Sequence, residues 1–266
     1  ARTELKDWKS AQVNLYANYK ISENTKIEFS YDILDYENYT NYNAFFDEND
    51  QNTPSEIYTE KESPFNVKVS KIDFESLLFE KIKFTSGIKH VKSDFTNINS
   101  VNIDEKIQDE FSNQSILDEY ILAGYSQANF DLFEKVKVQA GLRYEYTDTY
   151  VYSGNGDTFL DREYGNFFPS IFLGYKLNDF NNLNLSYSKR ISRPAFTDMA
   201  PLLVFIDLNT GVFGNLSLRP SYSRNYQIDY RYKSIGLSAQ YSDEDDIVAR
   251  WSPTINPSTN FVTFTP

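Results

Sequence analysis

Apolar and polar side chains alternate one by one along most of this chain. Ala11, Val13, Leu15, Ala17 and Tyr19 oppose Gln12, Asn14, Tyr16, Asn18 and Lys20. Ile27, Phe29, Tyr31 and Ile33 oppose Lys26, Glu28, Ser30 and Asp32, and Phe65, Val67 and Val69 oppose Asn66, Lys68 and Ser70. Ile82, Phe84 and Ile88 face away from Lys81, Lys83, Thr85 and Lys89. In the cleanest run, Val136, Val138, Ala140, Leu142, Tyr144 and Tyr146 alternate with Lys137, Gln139, Gly141, Arg143, Glu145 and Thr147. Successive side chains of a strand point to opposite faces, so each run reads as a ribbon with one apolar face. No comparable stretch sustains the helical repeat of about 3.6 residues.

The runs predict ten strands, at 11–20, 26–36, 64–72, 81–91, 118–128, 136–147, 166–177, 183–191, 221–232 and 235–250. The connections sort by length. Those at 21–25, 73–80, 129–135, 178–182 and 233–234 are short, and those at 37–63, 92–117, 148–165 and 192–220 are long. Short turns at one rim and long loops at the other are the mark of an outer-membrane barrel, whereas a soluble sandwich has no reason to sort its loops. Two Arg-Pro corners, Arg193-Pro194 and Arg219-Pro220, bracket the last long loop. Proline lacks an N–H, so each marks where strand pairing stops.

Charge gives the rims a sidedness. The loops 37–63, 92–117 and 148–165 hold 16 acidic against 4 basic residues, which accounts for the whole net charge of −12. That acidity argues against nucleic acid as a partner. There are no cysteines and one histidine, His90, so disulfide frameworks, thiol nucleophiles and multi-His metal sites are excluded. The longest apolar run, Leu202 to Ile206, is five residues. A spanning helix needs roughly 18, so any membrane crossing falls to strands. Tyr and Phe number 21 each, a composition suited to strands and membrane–water interfaces. The chain starts at Ala1 without an initiator methionine and stops at Pro266 as another strand-like run (Phe261, Val262, Phe264) begins. It therefore reads as a piece of a longer polypeptide.

Candidate chemistry is sparse. Asp47-Glu48-Asn49-Asp50 and Asp243-Glu244-Asp245-Asp246 carry oxygen ligands but not the spacing of a Ca²⁺ loop, and read as solvated rim. Ser153-Gly154-Asn155-Gly156-Asp157 lacks the third glycine and following helix of a phosphate cradle and reads as a tight turn. Loop 192–220 stands apart because it is charge-balanced and carries the apolar run Pro201-Leu202-Leu203-Val204-Phe205-Ile206. An apolar run in an outward loop needs cover. Arg193, Pro201, Leu202, Leu203, Phe205, Asp207 and Arg219 are accordingly the candidate ligand- or partner-contact residues. No catalytic residue, metal or cofactor is assigned.

Four segments carry a family resemblance. Gln139 to Thr147 (QAGLRYEYT), Phe168-Pro169-Ser170 with Phe172, Leu173 and Tyr175, Ser186 to Pro194 (SYSKRISRP), and Gly214 to Ser223 (GNLSLRPSYS) occur in order. They resemble recurring strands and corners of the TonB-dependent receptor-like outer-membrane β-barrel family. Leu216 and Ser221 depart from that pattern, and the close resemblance spans roughly residues 119 to 250. It implies an all-β, antiparallel up-and-down transmembrane barrel of about 22 strands. Residues 1–266 would supply about ten of these as part of one barrel domain. It also implies a plug domain, a TonB complex that energises import, and a scarce nutrient as cargo: a siderophore, oligosaccharide or peptide. Outer-membrane lipid is the expected surrounding, with a surface lipoprotein as a further partner. The competing readings are a non-transporting scaffold barrel and a soluble all-β binding module.

Overall fold

The computed structural model describes residues 2–46, 55–109, 112–200, 203–207, 209–248, 252–258 and 260–266. In chain order the elements are β1 (Arg2–Ser22), β2 (Thr25–Phe46), β3 (Ser55–Glu62), β4 (Phe65–Leu78), β5 (Ile82–Ile103), β6 (Lys106–Ile107) and β7 (Asn113–Phe133). Then follow β8 (Val136–Ser153), β9 (Thr158–Asn178), β10 (Asn181–Ser192), the single turn α1 (Phe196–Met199), β11 (Leu203–Asp207), β12 (Thr210–Phe213), β13 (Ser221–Tyr232), β14 (Ile235–Asp245), β15 (Ser252–Ile255) and β16 (Val262–Thr265). Among the described residues no helix is long and apolar enough to cross a membrane.

One antiparallel sheet forms the wall, from β1 at one edge to β14 at the other. β3 and β4 together occupy one place in it: β2 pairs β3 through Tyr39–Phe46 and β4 through Thr25–Tyr36. The ladder lapses at Ser63-Pro64, because Pro64 has no N–H to give. There Ser63 N donates to Asn38 O at 2.8 Å, and Pro64 O accepts from Thr96 N at 3.0 Å. The wall thus has the ten predicted strands in the predicted order.

They are longer than the alternation indicates. β1, β7 and β9 have 21 residues and β2 and β5 have 22. At about 3.3 Å per residue that is roughly 70 Å, against a hydrocarbon core near 30 Å. The segments 37–63, 92–117 and 148–165, expected as loops, are therefore mostly strand: β8 and β9 continue to a four-residue turn at 154–157. Above the bilayer neither face has to be apolar, so pairing goes on after the period-two signal has faded.

The register separates two faces. Leu122, Tyr146 and Gly165 lie in line, as do Ala128, Ala140, Ile171 and Tyr187. This outer face carries Val13, Leu15, Phe29, Ile72, Ile88, Leu142, Leu185, Ile228 and Leu237, all exposed. Leu142, Leu185 and Ile228 keep 47%, 40% and 44% of their surface, so they do not form a dry interior. Tyr120, Tyr144, Phe167, Tyr226 and Tyr241 sit on the same face, in the manner of an interfacial girdle. The opposite face carries Lys71, Lys89, Tyr125, Gln127, Arg143 and Glu145.

Nearly all buried apolar side chains lie on that second face, towards the long-loop rim. Leu117, Val151 and Met199 form one cluster, and Ile57 and Val101 form another beneath Leu203 and Phe261. A small sheet in the order β11-β12-β16-β15 covers the second cluster. Asn99 Nδ2 donates to Leu203 O at 3.4 Å, and Tyr42 OH donates to Ile206 O at 3.3 Å.

Candidate functional site

The segment between the two Arg-Pro corners, expected to project outward, is turned inward against the inner wall. β10 last pairs β9 at Ser188 opposite Ser170, and β10 ends at Ser192. Arg193 then reaches the wall. Its Nη2 donates to Glu145 Oε2 at 2.9 Å and to Thr147 Oγ1 at 2.7 Å, and its Nε donates to the Tyr164 hydroxyl at 3.1 Å. Glu145 and Thr147 are buried, and Glu145 also meets Arg143 Nη2 at 3.2 Å. A planar guanidinium suits this bidentate task better than an ammonium.

Arg162 holds the far end of the segment from the wall side. Its Nη1 donates to Leu218 O at 2.5 Å and its Nη2 to Leu216 O at 3.2 Å. Between the two anchors, Phe196 packs on Phe95 at a centroid distance of 4.1 Å, and Met199 fills the gap beside Leu117 and Val151. Asn215 N donates to Asp198 O at 2.7 Å. At Gly214 a Cβ would lie 2.0 Å from Ala200 O, so this close approach requires glycine. Glu119 lies just beyond the Tyr120 girdle. Burial pushes its carboxyl above the usual range, opposed by the Arg193 charge and the Thr149 hydroxyl.

Below the inturned segment the inner wall leaves a crevice of about 590 Å³, with Phe168, Ile121 and Ala123 among its apolar lining. Arg143 and Lys189 both sit over the Phe168 ring, at 5.2 and 5.8 Å from its centroid. Lys189 also lies 5.3 Å from the centroid of Tyr222.

The residues singled out from the sequence do not converge on one point. Arg193 organises the inner-wall network, while Arg219 is exposed at the second corner. Leu203 packs beside Ile57 and Val101. Phe205 and Asp207 lie on β11, and Pro201 and Leu202 fall outside the described residues. Glu145, Thr147, Tyr164 and Arg162 were not singled out. Strand alternation places Glu145 and Thr147 on the polar face, but nothing in sequence links them to a residue nearly fifty positions away. His90 stands on the outer face with its ring 6.4 Å from that of Tyr120. Asp47 to Asp50 lie outside the described residues, and Asp243 and Asp245 pair with Arg224 at 2.8 and 2.9 Å.

Known structures share this architecture. The ferric-catecholate import receptor Fiu of Escherichia coli, in its closed form, superposes with a TM-score of 0.64 at 13% identity, over 98% of this chain and 43% of that one. FpvA of Pseudomonas aeruginosa, bound to heterologous pyoverdines, gives 0.62 at 14% identity, over 96% of this chain and 36% of that one. The chain thus spans less than half the length of either receptor, and at these identities the likeness is one of fold. A family model described as outer membrane protein beta-barrel family matches residues 14–266. With its exposed apolar girdle, its polar inner face and that match, the chain belongs to the outer membrane protein beta-barrel family and resides in the Gram-negative outer membrane.

Proposed function

We propose that this chain is part of the wall of a TonB-dependent receptor-like barrel that imports a scarce nutrient such as a siderophore, an oligosaccharide or a peptide. The observation that carries the reading is the inturned segment 193–220, pinned by Arg193 and Arg162 over a polar inner face. A barrel serving only as a scaffold has no use for a structured segment inside its lumen, whereas an importer needs contacts there for cargo or plug. Fold likeness to an import receptor and to a pyoverdine-bound one supports it. The reading requires a plug domain and a TonB complex as partners. Deleting the full-length gene should abolish growth on the limiting nutrient, and restoring it in a TonB-deficient background should not rescue. Rescue without TonB removes the proposal.

A second reading, a scaffold barrel docked to a surface lipoprotein, draws on Ile206, Phe213 and Ile255, which are exposed on the small sheet. Co-purification of a stoichiometric lipoprotein, with growth unaffected by the gene deletion, would favour it.

A further inference from the structure

The inner wall concentrates positive charge in a chain whose formal net charge is −12. Lys71, Lys89, Arg143, Lys189 and Arg193 line the crevice, and Glu145 is the one carboxylate among its lining residues. Asp73 adds a second carboxylate at the edge, 2.6 Å from Lys71 Nζ. Glu145 is already divided between Arg143 and Arg193, at 3.2 and 2.9 Å. Lys89 and Lys189 make no salt bridge among the described residues. Glu119, within reach of the Arg193 charge, is a third carboxylate. The lining still holds more cations than acids, and these half-exposed cations repel one another modestly. A multiply charged anion would relieve that repulsion.

We propose that this crevice is a binding site for a small polyanion, one bearing several carboxylate or phosphate oxygens and an apolar or aromatic face. The oxygens meet the guanidinium forks of Arg143 and Arg193 and the ammonium groups of Lys89 and Lys189, while Phe168 and Ile121 receive the apolar face. Arg193 is held ready by Glu145, Thr147 and Tyr164, so the site is organised before the ligand arrives. As the cargo site, the crevice rests on the import reading; its binding chemistry does not.

The test uses full-length protein purified in detergent, with inorganic tripolyphosphate and citrate as probes and maltose as the neutral control, followed by titration calorimetry. Saturable binding of the anions but not of maltose is expected. It should weaken at least tenfold in the Lys89→Gln/Lys189→Gln variant and at least tenfold as NaCl rises from about 50 to about 500 mM. Lys137→Gln, on the inner face outside the crevice, should bind as the parent does. Natively migrating protein that takes up neither anion overturns the proposal. So does a double variant with parental affinity, or binding indifferent to salt. Anion binding without any cellular uptake upholds the site and overturns the import reading alone.

Discussion

Replacing Arg193 with alanine removes three hydrogen bonds and leaves two acids facing an altered wall. The Glu145 side chain is 9% exposed, and that of Arg193 22%. Stripping one partner from a buried ion pair costs about 3–5 kcal/mol, because the surviving charge is left uncompensated. Here Arg143 stays 3.2 Å from Glu145, so part of the compensation survives. The expected cost is therefore about 2–3 kcal/mol, and it falls on the inturned segment before it falls on the wall. Limited proteolysis of the full-length protein in detergent reads this directly. Residues 193–220 should be cleaved in Arg193→Ala under conditions that spare the parent, with the barrel strands still resistant. Arg193→Lys keeps the charge but loses the fork, and should lie between the two. If Arg193→Ala and the parent resist equally, the network is ornamental and the account of the anchored segment is wrong.

Three further outcomes are expected. Leu142→Lys, on the exposed apolar face, should lower barrel stability by about 2–4 kcal/mol in lipid vesicles, while Lys137→Ala on the inner face should cost well under half of that. Equal costs by denaturant unfolding would mean the faces are reversed. At the turn where Lys81 N donates to Leu78 O at 3.1 Å, Phe79 and Glu80 have φ of 52° and 58°. Glu80→Gly should therefore raise stability by about 1 kcal/mol, read from the temperature at which the heat-modifiable band shifts, and an unchanged temperature would refute the strain. Because burial raises the Glu119 carboxyl, the folded state holds that proton more tightly than the unfolded chain does. Glu119 therefore costs stability above its folded pKa, and the cost shrinks as pH falls towards the ordinary value near about 4.3. Glu119→Gln should stabilise the protein at pH 7 more than at pH 4, and a gain that does not depend on pH would contradict the assignment.

Most of the membrane-spanning half of this wall is legible from sequence, except that in β4 the register turns Phe65, Val67 and Val69 to the inner face, and the rest is legible only in part. Where hydrocarbon touches one face, Val136, Val138, Ala140 and Leu142 must be apolar while Lys137 and Gln139 need not be, and the alternation is plain. In the extensions the same strand buries Thr149 and Val151 and leaves Tyr150 and Tyr152 half-buried, a contrast set by the inturned segment that covers the inner face and by no run of apolar residues in the sequence. The corners at Pro194 and Pro220 announced the special segment, since proline interrupts pairing whatever its surroundings. Its inward direction depended on Arg193 meeting Glu145, Thr147 and Tyr164 across three strands, and such a meeting follows from register and curvature, not from local pattern. The apolar run near Leu203 did signal a need for cover; the cover turned out to include Ile57 and Val101 of the chain's own wall.

The interruption at Ser63-Pro64 insulates one storey of this protein from another. A residue inserted or lost in β3 would slip its partners on β2 and β5 and exchange their sides. The lapse in the ladder gives that slip a place to stop, so Val67, Val69 and the belt around Ile72 would keep their alignment. A slip there would turn Ile57 away from Val101 and loosen the exterior storey, while the part embedded in lipid would hold its register.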